Sequence, residues 1–200
     1  SSIDGFLSND PSFTSAALSQ GTHIITFAVT DNDMNVSPPD TMNLSVQDAL
    51  PETPNNLSNP GFEDGTTPWR LYTNGTGGFD VASPAYEGAL AARVNIVTGA
   101  SNIQFFQTDV PLEPDTEYEL TFAAYSNTGH DLQITLCKHV SPYTNYGLSR
   151  YPVNLTAGWQ VHTVTFTTDN FGSPVDDSRL SFWLASDAAS GDVYWFDDIR

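Results

Sequence analysis

Apolar and polar side chains alternate along this chain in short runs and rarely recur every three or four residues. Residues 24–30, 118–122, 132–136, 161–166 and 180–184 each predict a strand, because a period of two sends successive side chains to opposite faces. Clusters of Gly, Pro, Asn and Asp separate the runs, and helical periodicity is almost absent, so the pattern predicts an all-β sandwich. In the last run Leu180, Phe182 and Leu184 share one face, while Ser181, Trp183 and Ala185 share the other. The same rule opposes Gln133, Thr135, Cys137 and His139 to Leu132, Ile134 and Leu136, setting a polar row on the face turned from the core.

One segment breaks the alternation. Asp48-Ala49-Leu50-Pro51-Glu52-Thr53-Pro54-Asn55-Asn56 carries two prolines and predicts a linker, centred on 49–55. It divides the chain into 1–48, too short for a complete sandwich of about 100 residues, and 56–200, a full-sized domain. No internal repeat relates the two parts.

Charge narrows the partners. Six Lys+Arg stand against 24 Asp+Glu, a net −18, and Lys138 is the one lysine. Such a surface repels phosphate backbones and anionic lipids, so neither nucleic acid nor membrane is an expected partner, and neutral ligands remain. No stretch approaches the roughly 20 apolar residues of a membrane span. The start, Ser1-Ser2-Ile3-Asp4, has neither a basic region nor an apolar run and so does not read as a secretion signal; if the protein is secreted, the signal lies upstream. Cys137 is the sole cysteine, which excludes an internal disulfide and a cysteine metal site; in its alternating segment it predicts a small strand residue.

Catalytic motifs are missing. No Gly-x-Ser-x-Gly elbow, His-Glu-x-x-His pair or phosphate-binding loop occurs. Asp176-Asp177 and Asp197-Asp198 are adjacent, so within a strand their side chains face opposite ways and make no facing acid pair. Two alternatives stay open: a β-sandwich polysaccharide lyase using His139 with Tyr143 or Tyr146, and a structural or adhesive surface module.

Five motifs then arrive in order. They are Asn56-Leu57-Ser58-Asn59-Pro60-Gly61-Phe62-Glu63-Asp64-Gly65 followed by Trp69, Glu87-Gly88-Ala89-Leu90-Ala91-Ala92-Arg93-Val94, the 112–122 segment from Leu112 through Tyr118 to Phe122, Gly158-Trp159, and Val193-Tyr194-Trp195-Phe196-Asp197-Asp198-Ile199. Together they make 56–200 resemble the carbohydrate-binding modules of the family 4, 9, 16 and 22 group. The resemblance implies a jelly-roll β-sandwich without catalytic activity that binds sugar along one sheet or at its rim. It implies a secreted or cell-surface bacterial protein in which a covalently attached hydrolase is held near a neutral polysaccharide of the β-glucan, mannan or xylan type. It also implies a structural calcium ion (Ca2+) where the first and last strands meet, with carboxylates from Glu63 and Asp197 and backbone oxygens near Gly61 and Gly88. Residues 1–48 resemble the C-terminal part of a polycystic-kidney-disease-type, immunoglobulin-like domain, on Ser2-Ile3-Asp4-Gly5, the 18–31 segment and 42–46. There, the strand bearing His23, Ile25, Phe27 and Val29 is expected to turn one face inward, and half a sandwich leaves that face and its edge uncovered.

A sugar ring offers an apolar C–H face and a rim of hydroxyls, so its binder needs flat aromatic surface and planar polar groups. Trp183, outward by alternation, is a candidate platform or a residue covered by the N-terminal part. Trp69 is a candidate platform or a seal on the core. Gln133 and His139 belong to the polar row, and Gln104 could join from another strand. Tyr143 and Tyr146 sit in the following loop, where aromatic side chains often clamp ligands. Arg93 could reach a hydroxyl or pair with an acidic neighbour.

Overall fold

A computed structural model describes residues 1–10, 18–19, 21–46 and 55–200. They belong to two compact units, Ser1–Pro54 and Asn55–Arg200; the expected linker lies, but for Asn55, outside the described residues. In the first unit β1 (Gly21–Phe27) pairs antiparallel with β2 (Asp40–Val46), His23 opposite Leu44 and Ile25 opposite Met42. Alternation places His23, Ile25 and Phe27 on one face as expected, but only His23 is buried. Its Nδ1 lies 2.8 Å from Ser1 Oγ and its Nε2 2.6 Å from the Ser19 carbonyl. Phe27 is 52 % exposed and Val29 68 %. Among the described residues β1 and β2 form a single layer, and its apolar face stays largely uncovered, as expected of half a sandwich.

The second unit contains β3 (Arg70–Thr73), β4 (Thr76–Ala82), β5 (Ala91–Thr98), β6 (Ile103–Leu112), β7 (Glu117–Ser126), β8 (Leu132–Lys138), β9 (Asn145–Val153), β10 (Gln160–Thr167), β11 (Val175–Trp183) and β12 (Val193–Asp197). They form two antiparallel five-stranded sheets, β10-β7-β12-β5-β4 and β3-β6-β11-β8-β9. The chain stays within one sheet only at β4–β5 and β8–β9 and crosses to the other at every other step, the winding of a jelly-roll sandwich. No helix occurs among the described residues.

Strands that alternate must bury one face each, and two sheets closed on each other satisfy both at once. Leu132, Ile134 and Leu136 from β8, Leu180 and Phe182 from β11, Phe105 from β6, Phe122 from β7 and Phe196 from β12 fill the space between the sheets. Phe105 stacks on Phe196 at 4.9 Å, and Phe122 meets Phe182 edge-on at 5.1 Å. Each such side chain contributes about 1.5–3 kcal/mol of burial. Two irregularities interrupt the alternation on the second sheet. The β8–β9 pairing slips between Ile134 and Leu136, and β11 slips against β6 around Ser178; each slip resets which residues face out.

Candidate functional site

The outer face of the β3-β6-β11-β8-β9 sheet carries side chains in cross-strand rows. One row runs Tyr72, Gln104, Trp183, Gln133 and Pro152; the next runs Arg70, Phe106, Ser181 and Thr135; a third brings Arg179 beside Cys137 and Asn145. Gln104 and Phe106, each 8 % exposed, and Ser181, 1 % exposed, point away from the core and are nevertheless covered by the flanking side chains. Trp183 is half-buried.

Aromatic and cationic groups interleave here. The Arg150 guanidinium carbon lies 4.8 Å from the Trp183 ring centre, while that of Arg179 lies 5.5 Å from Phe106 and 5.8 Å from Tyr143. His139 stacks on Phe106 at 6.3 Å. Arg179 Nη2 is 3.7 Å from Cys137 Sγ, Gln104 Nε2 donates to Asn102 Oδ1 at 2.6 Å, and Ser181 Oγ donates to Gln104 Oε1 at 3.4 Å. Among the described residues five buried side-chain polar atoms lack a hydrogen-bond partner, and three of them, Gln133 Oε1, His139 Nδ1 and Arg179 Nε, sit on this face. An unpaired buried polar group costs about 1–3 kcal/mol, so polar satisfaction is poorer on this face than elsewhere among the described residues.

Residues 54–189 match the carbohydrate binding domain family, in the group of families 4 and 9. The chain belongs to this family. Its fold is similar to that of a family 4 carbohydrate-binding module (TM-score 0.52, 22 % identity, covering 70 % of this chain and 96 % of that one). It is also similar to a family 61 module in complex with β-1,4-galactotriose (TM-score 0.54, 19 % identity, 74 % and 97 % covered). A third likeness is to the N-terminal cellulose-binding domain of β-1,4-glucanase C from Cellulomonas fimi (TM-score 0.51, 21 % identity, 72 % and 91 % covered). At these identities the likeness concerns the fold. No curated protein sequence matches the chain.

The module gathers Trp183, Gln104, Gln133, His139 and Tyr143 on one face and places the other three sugar candidates elsewhere. Trp69 seals the core: it is 3 % exposed, stacks on Phe105 at 5.0 Å, and donates its indole N–H to the Ser58 and Asn59 carbonyls, both at 3.2 Å. It offers no platform. Tyr146 is 4 % exposed, packs on Phe171 at 4.7 Å and donates its hydroxyl to Asp177 Oδ1 at 3.1 Å. It clamps nothing, and burial, helped by Asp177, pushes its phenol pKa up. Arg93 lies on the opposite sheet, held bidentate by Asp80 at 2.9 and 2.5 Å, with its guanidinium over Trp195. Arg70, Tyr72, Phe106, Arg150 and Arg179 belong to the face without having been expected there. Arg179 has the same parity as Trp183, so alternation points to it. Arg150 follows the β8–β9 slip, where parity gives no guide.

The expected metal residues also meet. Glu63 Oε1 accepts from the Ala89 and Leu90 amides at 2.7 and 3.0 Å, and Asp197 Oδ2 accepts from those of Tyr86 and Glu87 at 2.8 and 3.0 Å. Both carboxylates thus grip the 86–90 loop. Gly88 (φ +70°) leaves room for Glu63, whose carboxylate a Cβ there would strike, and a Cβ on Gly61 would come to 3.7 Å from Asp197 Oδ1. Asp197 Oδ1 also accepts from the Asp198 amide, so three of the four carboxylate oxygens are already met by N–H groups and a hard cation would share them. No cluster of three or more His, Cys, Asp or Glu is present among the described residues, so carbonyl oxygens would complete the usual six to eight ligands.

A cavity of about 260 Å³ opens separately at the β9–β10 edge beside Tyr151, Asn154 and His162. His162 stacks on Phe122 at 5.1 Å, and burial lowers its pKa.

Proposed function

We propose that the module binds a polysaccharide along the outer face of the β3-β6-β11-β8-β9 sheet and breaks no bond in it. What carries this is the coincidence, on one face, of Trp183, Phe106 and Tyr143 with the unpaired Gln133, His139 and Arg179 atoms. Sugar C–H faces would rest on the aromatic and guanidinium planes, and hydroxyls would satisfy the amide, imidazole and guanidinium groups. A neutral β-glucan, mannan or xylan would use these contacts alone. Of the two tyrosines a lyase could use with His139, Tyr146 is sealed and hydrogen-bonded to Asp177, which leaves Tyr143 alone for that role; new absorbance from unsaturated ends on incubation with an anionic polysaccharide would revive the lyase reading. The setting we propose is extracellular, with the module raising the effective concentration of an attached enzyme at its substrate. The N-terminal hairpin we take as the closing part of an immunoglobulin-like domain, on its apolar face of Ile25, Phe27, Met42 and Leu44.

Affinity electrophoresis against soluble neutral and charged polysaccharides tests the binding role. The wild-type chain should be retarded by at least one glycan, and Trp183→Ala should weaken that retardation at least tenfold, about 1.4 kcal/mol, with its melting temperature unchanged. A wild-type chain that none retards, or a Trp183→Ala variant retarded equally, would sink the proposal.

We further propose that Glu63 and Asp197, with carbonyls near Gly61 and Gly88, hold calcium. When bound, the ion would offset carboxylate charge beside the 86–90 loop and tie β12 to it. An ion at a hundred times its dissociation constant adds about 2.7 kcal/mol. Melting should therefore be several degrees higher in calcium than in chelator, and Glu63→Gln should abolish the difference; equal melting of the wild type in both would refute the site.

A further inference from the structure

The chain has six cationic side chains: Arg70, Arg93, Lys138, Arg150, Arg179 and Arg200. Three are neutralised in ion pairs. Arg93 meets Asp80 at 2.5 Å, Lys138 meets Asp177 at 3.1 Å, and Arg200 meets both Asp198 and, at 3.4 Å, Glu87. Arg70, Arg150 and Arg179 form no ion pair among the described residues, in a chain with 24 carboxylates to choose from. All three lie on the outer face of the β3-β6-β11-β8-β9 sheet. Arg70 stands opposite Phe106, Arg150 covers Trp183, and Arg179 stands opposite Cys137 with its guanidinium between Phe106 and Tyr143.

From this we infer that the polysaccharide is anionic, one carrying carboxylate or sulfate groups along its chain; the inference rests on the glycan-binding role proposed for the same face. Folding leaves the paired cations where carboxylates reach them and spreads the unpaired ones across one sheet face, from β3 at one edge to β9 at the other. A guanidinium laid flat on an aromatic ring turns its N–H edge outward, and that edge matches an oxyanion with two parallel hydrogen bonds. Arg70 and Arg150 are exposed and present such an edge to solvent, while the buried Arg179 Nε has no protein acceptor. The net charge of −18 opposes an anion only at long range, because at physiological ionic strength fields decay over about 8 Å. At contact, the three arginines decide. A neutral glycan would need the same aromatic planes but not these unpaired arginines.

The test compares ligands that differ only in charge, at about 0.15 M salt: polygalacturonate with its fully methyl-esterified form, and a sulfated galactan with its desulfated form, each titrated calorimetrically into the full chain. At least one charged member should bind at least tenfold more tightly than its neutral twin, and which pair responds tells carboxylate from sulfate. Arg150→Gln/Arg179→Gln should lose that advantage at least tenfold with an unchanged melting temperature, and Arg150→Lys/Arg179→Lys should keep part of it. Neutral twins that bind as tightly as charged ones would overturn the inference, as would full affinity in the glutamine variant. Binding of a neutral glycan through Trp183, with no preference in either pair, would leave the glycan role standing and remove only its charge. Binding to no glycan at all would remove both.

Discussion

Two tryptophans show how far placement outweighs residue type. Trp69 lies among Phe62, Phe105 and Phe182, and Trp183 lies under Arg150 on the outer face. Truncating the first opens a large cavity, so Trp69→Ala should lower stability by about 3–5 kcal/mol in a denaturant melt, with Trp69→Phe costing less and leaving glycan affinity unchanged. A second residue-scale feature is the His130–Asp192 pair, 2.7 Å apart, in which Asp192 is 2 % exposed and also accepts from Thr128 and Ala189. Asp192 holds the His130 pKa above its ordinary value, with Asp187 and Asp131 adding to the field. Burial raises the Asp192 carboxyl, but hydrogen bonds from Ala189, His130 and Thr128 outweigh it and leave the pKa lowered. The raised histidine contributes fully below its unfolded pKa and loses this as pH rises through the folded one. The lowered carboxylate contributes above its unfolded pKa and loses this as pH falls through the folded one. Stability from the pair should therefore persist from mildly acidic pH up to the ordinary histidine pKa and decline on either side. Asp192→Asn should flatten that profile and cost about 1–3 kcal/mol, read by thermal melts across pH.

At the scale of elements, strand pairing decides how firmly each segment is held. β12 lies between β5 and β7 in the middle of its sheet, with Tyr194 and Phe196 fully buried. Among the described residues β1 and β2 are each other's one strand partner, with Ile24, Phe27 and Met42 about half exposed, and an isolated two-stranded ribbon is marginal in water. Hydrogen exchange should then find the β1–β2 amides exchanging at least a hundredfold faster than those of β12. Equal protection would mean that the hairpin gains cover from a partner. The face that concerns function depends on β11 in the same way: its alternation of Leu180 and Phe182 inward with Arg179, Ser181 and Trp183 outward is plain in the sequence, and its neighbours β6 and β8 are not.

For the whole molecule, charge is the dominant long-range quantity. With −18 distributed over 200 residues, self-repulsion favours expansion and is screened by salt. In chelator, where any bound calcium is removed, the melting temperature should rise between about 0.01 M and roughly 0.5 M sodium chloride; a flat response would mean that the carboxylates are already compensated locally. The three arginines without an ion pair among the described residues all lie on the outer face of the β3-β6-β11-β8-β9 sheet, where the ligand is proposed to lie.

The period-two pattern by itself determined the all-β class, because alternation can be buried only by layered sheets, and it set which side chains of β8 and β11 look outward. The order of five short motifs was enough to suggest the family. Tertiary structure alone decided which strands became neighbours, and so brought Arg70 from β3 and Phe106 from β6 beside Ser181. It sent Trp69 and Tyr146 inside and Arg93 to the other sheet. Local sequence cannot carry that information: β6 and β11 pair across about seventy residues, and the slips in β9 and β11 shift parity in ways that depend on the partner strand rather than on the residues that shift.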